Sequence, residues 1–318
     1  MAGYTDLPFR RLCRRFGAGA VYTELVSVDG LVRRSPATWH LLATSPEERP
    51  VFAHLYGADP EVFGAAAAMI APLGRFDGID VNAGCPMPKV VRRGAGAGLM
   101  QDPERLAAIV RAIRAAAPLP VSVKTRIGPT ADQVWIFETA AAVEAAGAAA
   151  LAIHARSTAA RHSGPAAWDL IAEVKRRHPR LVVIGNGGVG NAQHAIERLQ
   201  TSGVDAGMIG RGAIGRPWIF RDAAAVLAGA PLPPPPGPGE LRALIREHFA
   251  GLLELERAHP LARRRRHPPE HIAACRFRAH LLRYAAGRPG AAELRRRLNS
   301  VRSPEAVEEG LALLFGPG

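Results

Sequence analysis

Short apolar, β-branched runs alternate along this chain with longer alanine-rich stretches, and this alternation limits the available folds more than any other feature. The runs stand at residues 21–24, 51–56, 79–81, 121–125, 151–154, 181–185 and 206–209, with helical patterns between them such as residues 103–116 and 133–146. Strands interleaved with helices make a parallel sheet of βα units. Polar residues with chemical potential cluster where the runs end: Asn82 and Cys85, Lys124 and Arg126, His154 and Arg156, Asn186 and Gly187, Gly210 and Arg211. In an eight-stranded barrel all such ends open on one face, where active sites are built. The expectation is therefore an α/β chain of the (β/α)8 TIM-barrel type rather than an open sheet. Seven runs are visible, and the chain opens at what reads as the loop after a first strand. The first strand is thus expected to be truncated, with its place filled from upstream of Met1 or by another segment.

The proline- and glycine-rich residues 231–239 are a stiff, structureless interruption. They divide an expected barrel, residues 1–230, from an all-helical domain, residues 240–318, in which Leu244, His248 and Leu252 share a face and Arg276, Arg283 and Arg295 are exposed. That segment carries 15 arginines against 9 glutamates and no lysine or aspartate, and Arg263, Arg264, Arg265 and Arg266 form a continuous basic patch. The whole chain has 41 basic against 28 acidic residues, a net charge of +13, which favours a polyanionic partner, nucleic acid first. A charge run alone is more often a solvated face, so its weight depends on the chemistry at the strand ends.

Three irregularly spaced cysteines argue against a disulfide framework and for a reducing compartment. No metal-ligand spacing stands out, so no metal is expected. The N-terminus lacks the pattern of an export signal, and the apolar stretches fall short of the roughly 20 residues a membrane span needs. A cytoplasmic monomer without membrane association is the expectation.

Cys85 lies between Gly84 and Pro86. Glycine permits a sharp turn and proline cannot continue a strand, so the thiol is presented at a rim. Cys13, near Phe9, Leu12 and Phe16, and Cys275, spaced with Ile272, Ala279 and Leu282, read instead as helix core. After Cys85, Lys89, Arg92 and Arg93 precede alternating glycines, a pattern resembling a mobile basic lid. Lys124 is one of only three lysines and sits in an apolar strand, which calls for a compact ammonium facing a ring carbonyl or an anionic nitrogen. His154 suits donation to a carbonyl, acid–base work or a structural role. Arg156, on a loop, is placed for contact with an anion rather than for burial. Asp80 and Asn82 share one strand face. The glycine-rich ends 185–188 and 210–212, with Arg211, suit a phosphate held after the last two barrel strands.

The chain carries the motifs Met1-Ala2-Gly3-Tyr4-Thr5-Asp6-Leu7-Pro8-Phe9-Arg10, Asn82-Ala83-Gly84-Cys85-Pro86, Val123-Lys124-Thr125-Arg126, His154-Ala155-Arg156, Gly185-Asn186-Gly187, Met208-Ile209-Gly210-Arg211-Gly212 and Gly215-Arg216-Pro217-Trp218. Together these segments resemble the bacterial tRNA-dihydrouridine synthases, most closely the B type, over nearly the whole chain. The resemblance implies an FMN-dependent barrel with a helical RNA-binding domain that reduces tRNA uridine to dihydrouridine, with NADPH as electron source. It implies that Lys124 and His154 approach the flavin ring and uracil, that Asn186, Gly187, Gly210 and Arg211 hold the phosphate, that Met1 and Ala2 line the isoalloxazine, and that Asn82 orients flavin or substrate. Hydride would pass to uracil C6 while Cys85, a thiol largely protonated at neutral pH, protonates C5. Lys89, Arg92, Arg93, Arg156 and Arg263 to Arg266 would meet the RNA, helping to offset the cost of unstacking the target base. Two positions depart from the pattern among the flavin-binding residues: His54 stands where glutamine is common and Gly188 where aspartate is frequent. Two other functions fit the same residues: a flavin reductase of a free pyrimidine, and a tRNA-binding homologue with impaired catalysis.

Overall fold

The computed structural model describes residues 1–316, which divide into two compact units. One runs from Ala20 to Gly210; the other joins Met1–Gly19 to the residues from Arg211 onward. The proline-rich residues 231–239 therefore lie inside the second unit, which also takes in the N-terminal helix.

The first unit is a parallel sheet in βα order: β1 (Val21–Tyr22), β2 (Val26–Ser27), β3 (Val51–Tyr56), β4 (Gly78–Ala83), β5 (Val121–Arg126), β6 (Ala150–His154), β7 (Val182–Asn186) and β8 (Ala206–Met208). β1 and β2 pair in succession with β3 and share one strand position, so the seven expected runs become seven positions of a curled barrel. Among the described residues β8 pairs only with β7 and β1 only with β3, and no strand fills the eighth position. Helices start where the sequence caps them. Asp59 accepts from the Glu61 and Val62 N–H groups ahead of Pro60, and Asp102 accepts from Arg105 N–H ahead of Pro103, so the helix Pro103–Ala116 begins and ends where its apolar spacing predicts.

Alternation sets the two faces of the sheet. Ala53, Leu55, Ile79, Val81, Val121, Val123, Leu151, Ile153 and Val183 are buried, while His54, Lys124, Ile184 and Asn186, on the opposite face, are less so. Gly185 belongs to the buried set because a Cβ there would come within 2.1 Å of the Trp168 ring.

The second unit has its own apolar core, in which Leu12 and Trp218 join Leu244, Leu252, Phe277 and Leu281. Leu244, His248 and Leu252 share a buried face of the helix Pro238–Arg257, as their spacing predicts. The reading of Cys275 as core is corrected. The helix Pro269–Tyr284 buries Ala273, Ala274, Phe277, Leu281 and Tyr284, leaving Ile272, Cys275, Ala279 and Leu282 only half-buried. Phenylalanine and tyrosine bury more apolar area than the stripe one position away, and they set the rotation of the helix.

Candidate active site

Register gathers the polar residues into three rows across neighbouring strands. His54 lies beside Asp80, and Asp80 beside Ser122. Two residues further along, Asn82 lies beside Lys124. Two further still, Arg126, His154, Asn186 and Met208 are neighbours across β5 to β8. Because side chains two apart share a face, the rows stack toward the C-terminal ends of the strands, where a barrel builds its site.

The loop bearing Cys85 is held at each carbonyl and amide that matters. Asn82 Oδ1 accepts from the N–H of Cys85 at 2.9 Å and of Gly84 at 3.4 Å. Arg126 Nε donates to the Gly84 carbonyl at 2.8 Å, and the Cys85 carbonyl accepts from Ala97 N–H at 3.0 Å. The thiol itself is half-buried, and no hydrogen bond to its sulfur is present among the described residues.

Asn82 is fixed in turn. Ser122 Oγ donates to Asp80 at 2.5 Å, and His54 Nδ1 lies 2.5 Å from the other Asp80 oxygen. With Nδ1–H donating to that carboxylate, His54 Nε2 presents a lone pair to Asn82 Nδ2 at 2.9 Å. This sets the amide so that its oxygen faces Cys85. His54 is thus engaged with side chains of the protein, a role its position did not signal. Asp80 is completely buried, and its partners supply the compensation that a buried carboxylate requires.

Arg126, legible in the sequence only as one of the polar residues at strand ends, organises the site. Beyond Gly84 it donates to the carbonyls of Ser157 and Arg161, tying the loop after β4 to the loop after β6. Its only signal was a guanidinium at a strand end. Arg156 corrects an expectation: it is buried, and its Nε and Nη2 donate to the Ser163 and Gly164 carbonyls, so it shapes the loop after β6 instead of facing solvent for an anion.

Lys124 and His154 are both held away from their charged forms. Burial, then Arg126, pulls the Lys124 ammonium down to about 7 despite the opposing pull of Asp80. Burial, with Lys124 and Arg126 next, pushes His154 down to about 2, so it is a neutral imidazole across the working range. At the end of β7, Asn186 Nδ2 donates to the Met208 carbonyl at 2.7 Å and Trp168 Nε1 to the Gly187 carbonyl at 2.8 Å. Gly187 and Gly188 have φ of 116° and 73°, and a Cβ on Gly187 would approach His154 to 2.9 Å. This turn keeps its backbone clear of side chains, which suits close approach of a phosphate. Gly210 follows β8 in the same unit.

The lid expectation is half corrected. Lys89, Arg92 and Arg93 are exposed on and after a short helix, Pro88–Val91, but Ala95, Gly96, Ala97, Leu99 and Met100 are buried. Gly96 packs where a Cβ would meet the Cys85 carbonyl at 2.8 Å, so this half supports the thiol loop.

In the second unit Met1, Ala2 and Arg211 are exposed. The arginine run is not uniform. Arg265, with Arg276, pairs with the buried carboxylate of Glu256, whereas Arg263, Arg264 and Arg266 form no ion pair among the described residues. No described helix is long and apolar enough to cross a membrane.

The family model described as dihydrouridine synthase (Dus) matches residues 1–314. A probable tRNA-dihydrouridine synthase of Mycobacterium tuberculosis is 38% identical over 318 residues, spanning 97% of this chain and 79% of that protein. The tRNA-dihydrouridine synthase B of Pseudomonas aeruginosa is 36% identical, spanning 96% and 88%. A probable tRNA-dihydrouridine synthase of Rickettsia prowazekii is 34% identical, spanning 99% and 92%.

Proposed function

We propose a role for each group of this site from one premise: the chain belongs to the dihydrouridine synthase family and reduces uridine in tRNA to dihydrouridine. The observation that carries the assignment is the Cys85 loop, pinned through Asn82, Arg126 and Ala97 while its sulfur has no hydrogen-bond partner among the described residues.

Saturating the uracil C5–C6 bond takes a hydride and a proton. FMN, reduced by NADPH, supplies the hydride when bound. Asn186, Gly187, Gly188 and Gly210 would hold its phosphate, and Lys124 and His154 would face its ring. Lys124, near neutrality in pKa, is able to present an ammonium to a carbonyl or an anionic ring nitrogen. Neutral His154 serves as a hydrogen-bonding group and not as a cation. Cys85 holds the proton destined for C5, and Asn82 keeps the thiol in place through the Cys85 backbone. Lys89, Arg92 and Arg93 on one unit and Arg263, Arg264 and Arg266 on the other are available to tRNA phosphates.

Incubation of the purified chain with FMN, NADPH and tRNA lacking dihydrouridine tests this reading. Dihydrouridine in the tRNA, with no turnover of free uracil or uridine, is expected. Turnover of free pyrimidine alone moves the substrate to a small molecule, and tRNA binding by a colourless, flavin-free protein leaves an RNA-binding role without catalysis.

A further inference from the structure

The helical unit contains a polar cluster that the uridine chemistry does not use. Asp6, His248 and His280 are 2%, 0% and 0% exposed, and one potential ligand atom from each lies within 4.8 Å of the others. His248 Nε2 is 3.6 Å from Asp6 Oδ1, and His280 Nε2 is 3.8 Å from Asp6 Oδ2. Both separations exceed a hydrogen bond. His248 Nε2 and both ring nitrogens of His280 make no hydrogen bond within 3.5 Å, although the Tyr4 backbone acts on His280, and this is rare for groups so deeply buried.

Two occupants would set different spacings. Bonds of about 2.0–2.2 Å to a tetrahedral zinc-class ion place its ligand atoms about 3.3–3.6 Å apart. Hydrogen bonds of about 2.8 Å to a central water would hold them about 4.6 Å apart. The His248 Nε2–Asp6 Oδ1 separation of 3.6 Å matches the first value, the 3.8 Å contact of His280 is to the other carboxylate oxygen, and one ligand atom from each residue lies within 4.8 Å of the rest. The surroundings also orient the donors. His248 Nδ1 lies 3.0 Å from the Tyr284 hydroxyl; in the tautomer with Nδ1–H donating there, the Nε2 lone pair faces Asp6. An imidazole bonded outward through one nitrogen and ligating through the other is the usual arrangement around a metal.

We propose that Asp6, His248 and His280 form a buried site for one divalent transition-metal ion of the zinc class, with a water completing its tetrahedron. Two imidazoles and a carboxylate favour such an ion over magnesium or calcium, which prefer all-oxygen ligands. Asp6 is also the N-cap of the helix Leu7–Arg15, accepting from Phe9 N–H at 3.1 Å. The ion would therefore fasten the start of that helix to the helices Pro238–Arg257 and Pro269–Tyr284.

Elemental analysis of the untagged full-length chain, purified without chelator, tests the site. About one zinc-class ion per chain is expected, falling below about one tenth in His280→Ala. Wild-type protein stripped with a chelator should melt at a lower temperature and recover on adding Zn²⁺. With Co²⁺ it should show the visible absorption of a tetrahedral centre, and this arm needs no variant to fold. Metal-free wild-type protein whose melting temperature ignores Zn²⁺ would overturn the proposal. So would metal retained in His280→Ala but lost in His271→Ala, because it would place the ion on the neighbouring His267–His271 pair.

Discussion

The barrel mouth and the core of the helical unit both bury charged and imidazole side chains, and they treat them in opposite ways. Around Cys85, the Asp80 carboxylate, the His54 ring and the Asn82 amide run in one unbroken series of hydrogen bonds from Ser122 to the Cys85 backbone, and Arg126 joins the same loop from the other side. Around Asp6, two histidines face a carboxylate across gaps too wide for hydrogen bonds. A closed polar network is rigid and sets one geometry. An open one of the same residue types has donor capacity to spare, which is why the first reads as a positioning device and the second as a receptor for an ion.

The comparison breaks first at Arg126. Arg126→Ala removes a buried guanidinium from three carbonyls in two loops. Its expected cost is about 2–4 kcal/mol of folding stability. A fall of about 10–100-fold in kcat should accompany it, since the thiol loop loses its orientation. Denaturant unfolding and single-turnover assays measure the two, and an unaltered kcat would show that the network does not position the thiol.

Lys124 sharpens the comparison by pH. Its ammonium is present below about 7 and lost above. Affinity for FMN should therefore weaken as pH rises through neutrality, by at most about tenfold per pH unit, and Lys124→Met should flatten the profile. The linkage runs the other way for stability. The folded pKa lies below the unfolded 10.5, so burial of the charge costs most below about 7 and the cost fades toward 10.5. Relative to Lys124→Met, wild type should thus gain stability as pH rises across that window.

The smallest effects belong to the arginine run. Replacing Arg263, Arg264 and Arg266 with glutamine should reduce the salt dependence of tRNA binding, by up to about 0.7–0.9 in log–log slope for each phosphate that is no longer neutralised. Arg265→Gln should leave that slope alone and lower thermal stability instead, because Arg265 is paired with buried Glu256.

Strand positions and the rim residues were legible in the sequence because both are local. Period-two burial and residue type at strand ends are enough to find β3 to β8 and to single out Cys85, Lys124 and His154. Arg126 and His54 were harder, because their roles depend on register across strands about 30 residues apart or more, which no local pattern fixes. Arg156 was misjudged because a loop arginine turns inward when backbone carbonyls in its own loop need donors. The Asp6 cluster was invisible for the same reason on a larger scale, since it joins the N-terminal segment to helices more than 200 residues later and matches no short-range ligand spacing.

The central claim is that the pinned thiol delivers the proton, and Cys85→Ala followed by two readouts tests it most directly. NADPH should still bleach the bound flavin at close to the wild-type rate, while dihydrouridine formation in tRNA falls by about 10²–10⁴-fold. Dihydrouridine formed by the variant at nearly the wild-type rate would contradict the assignment.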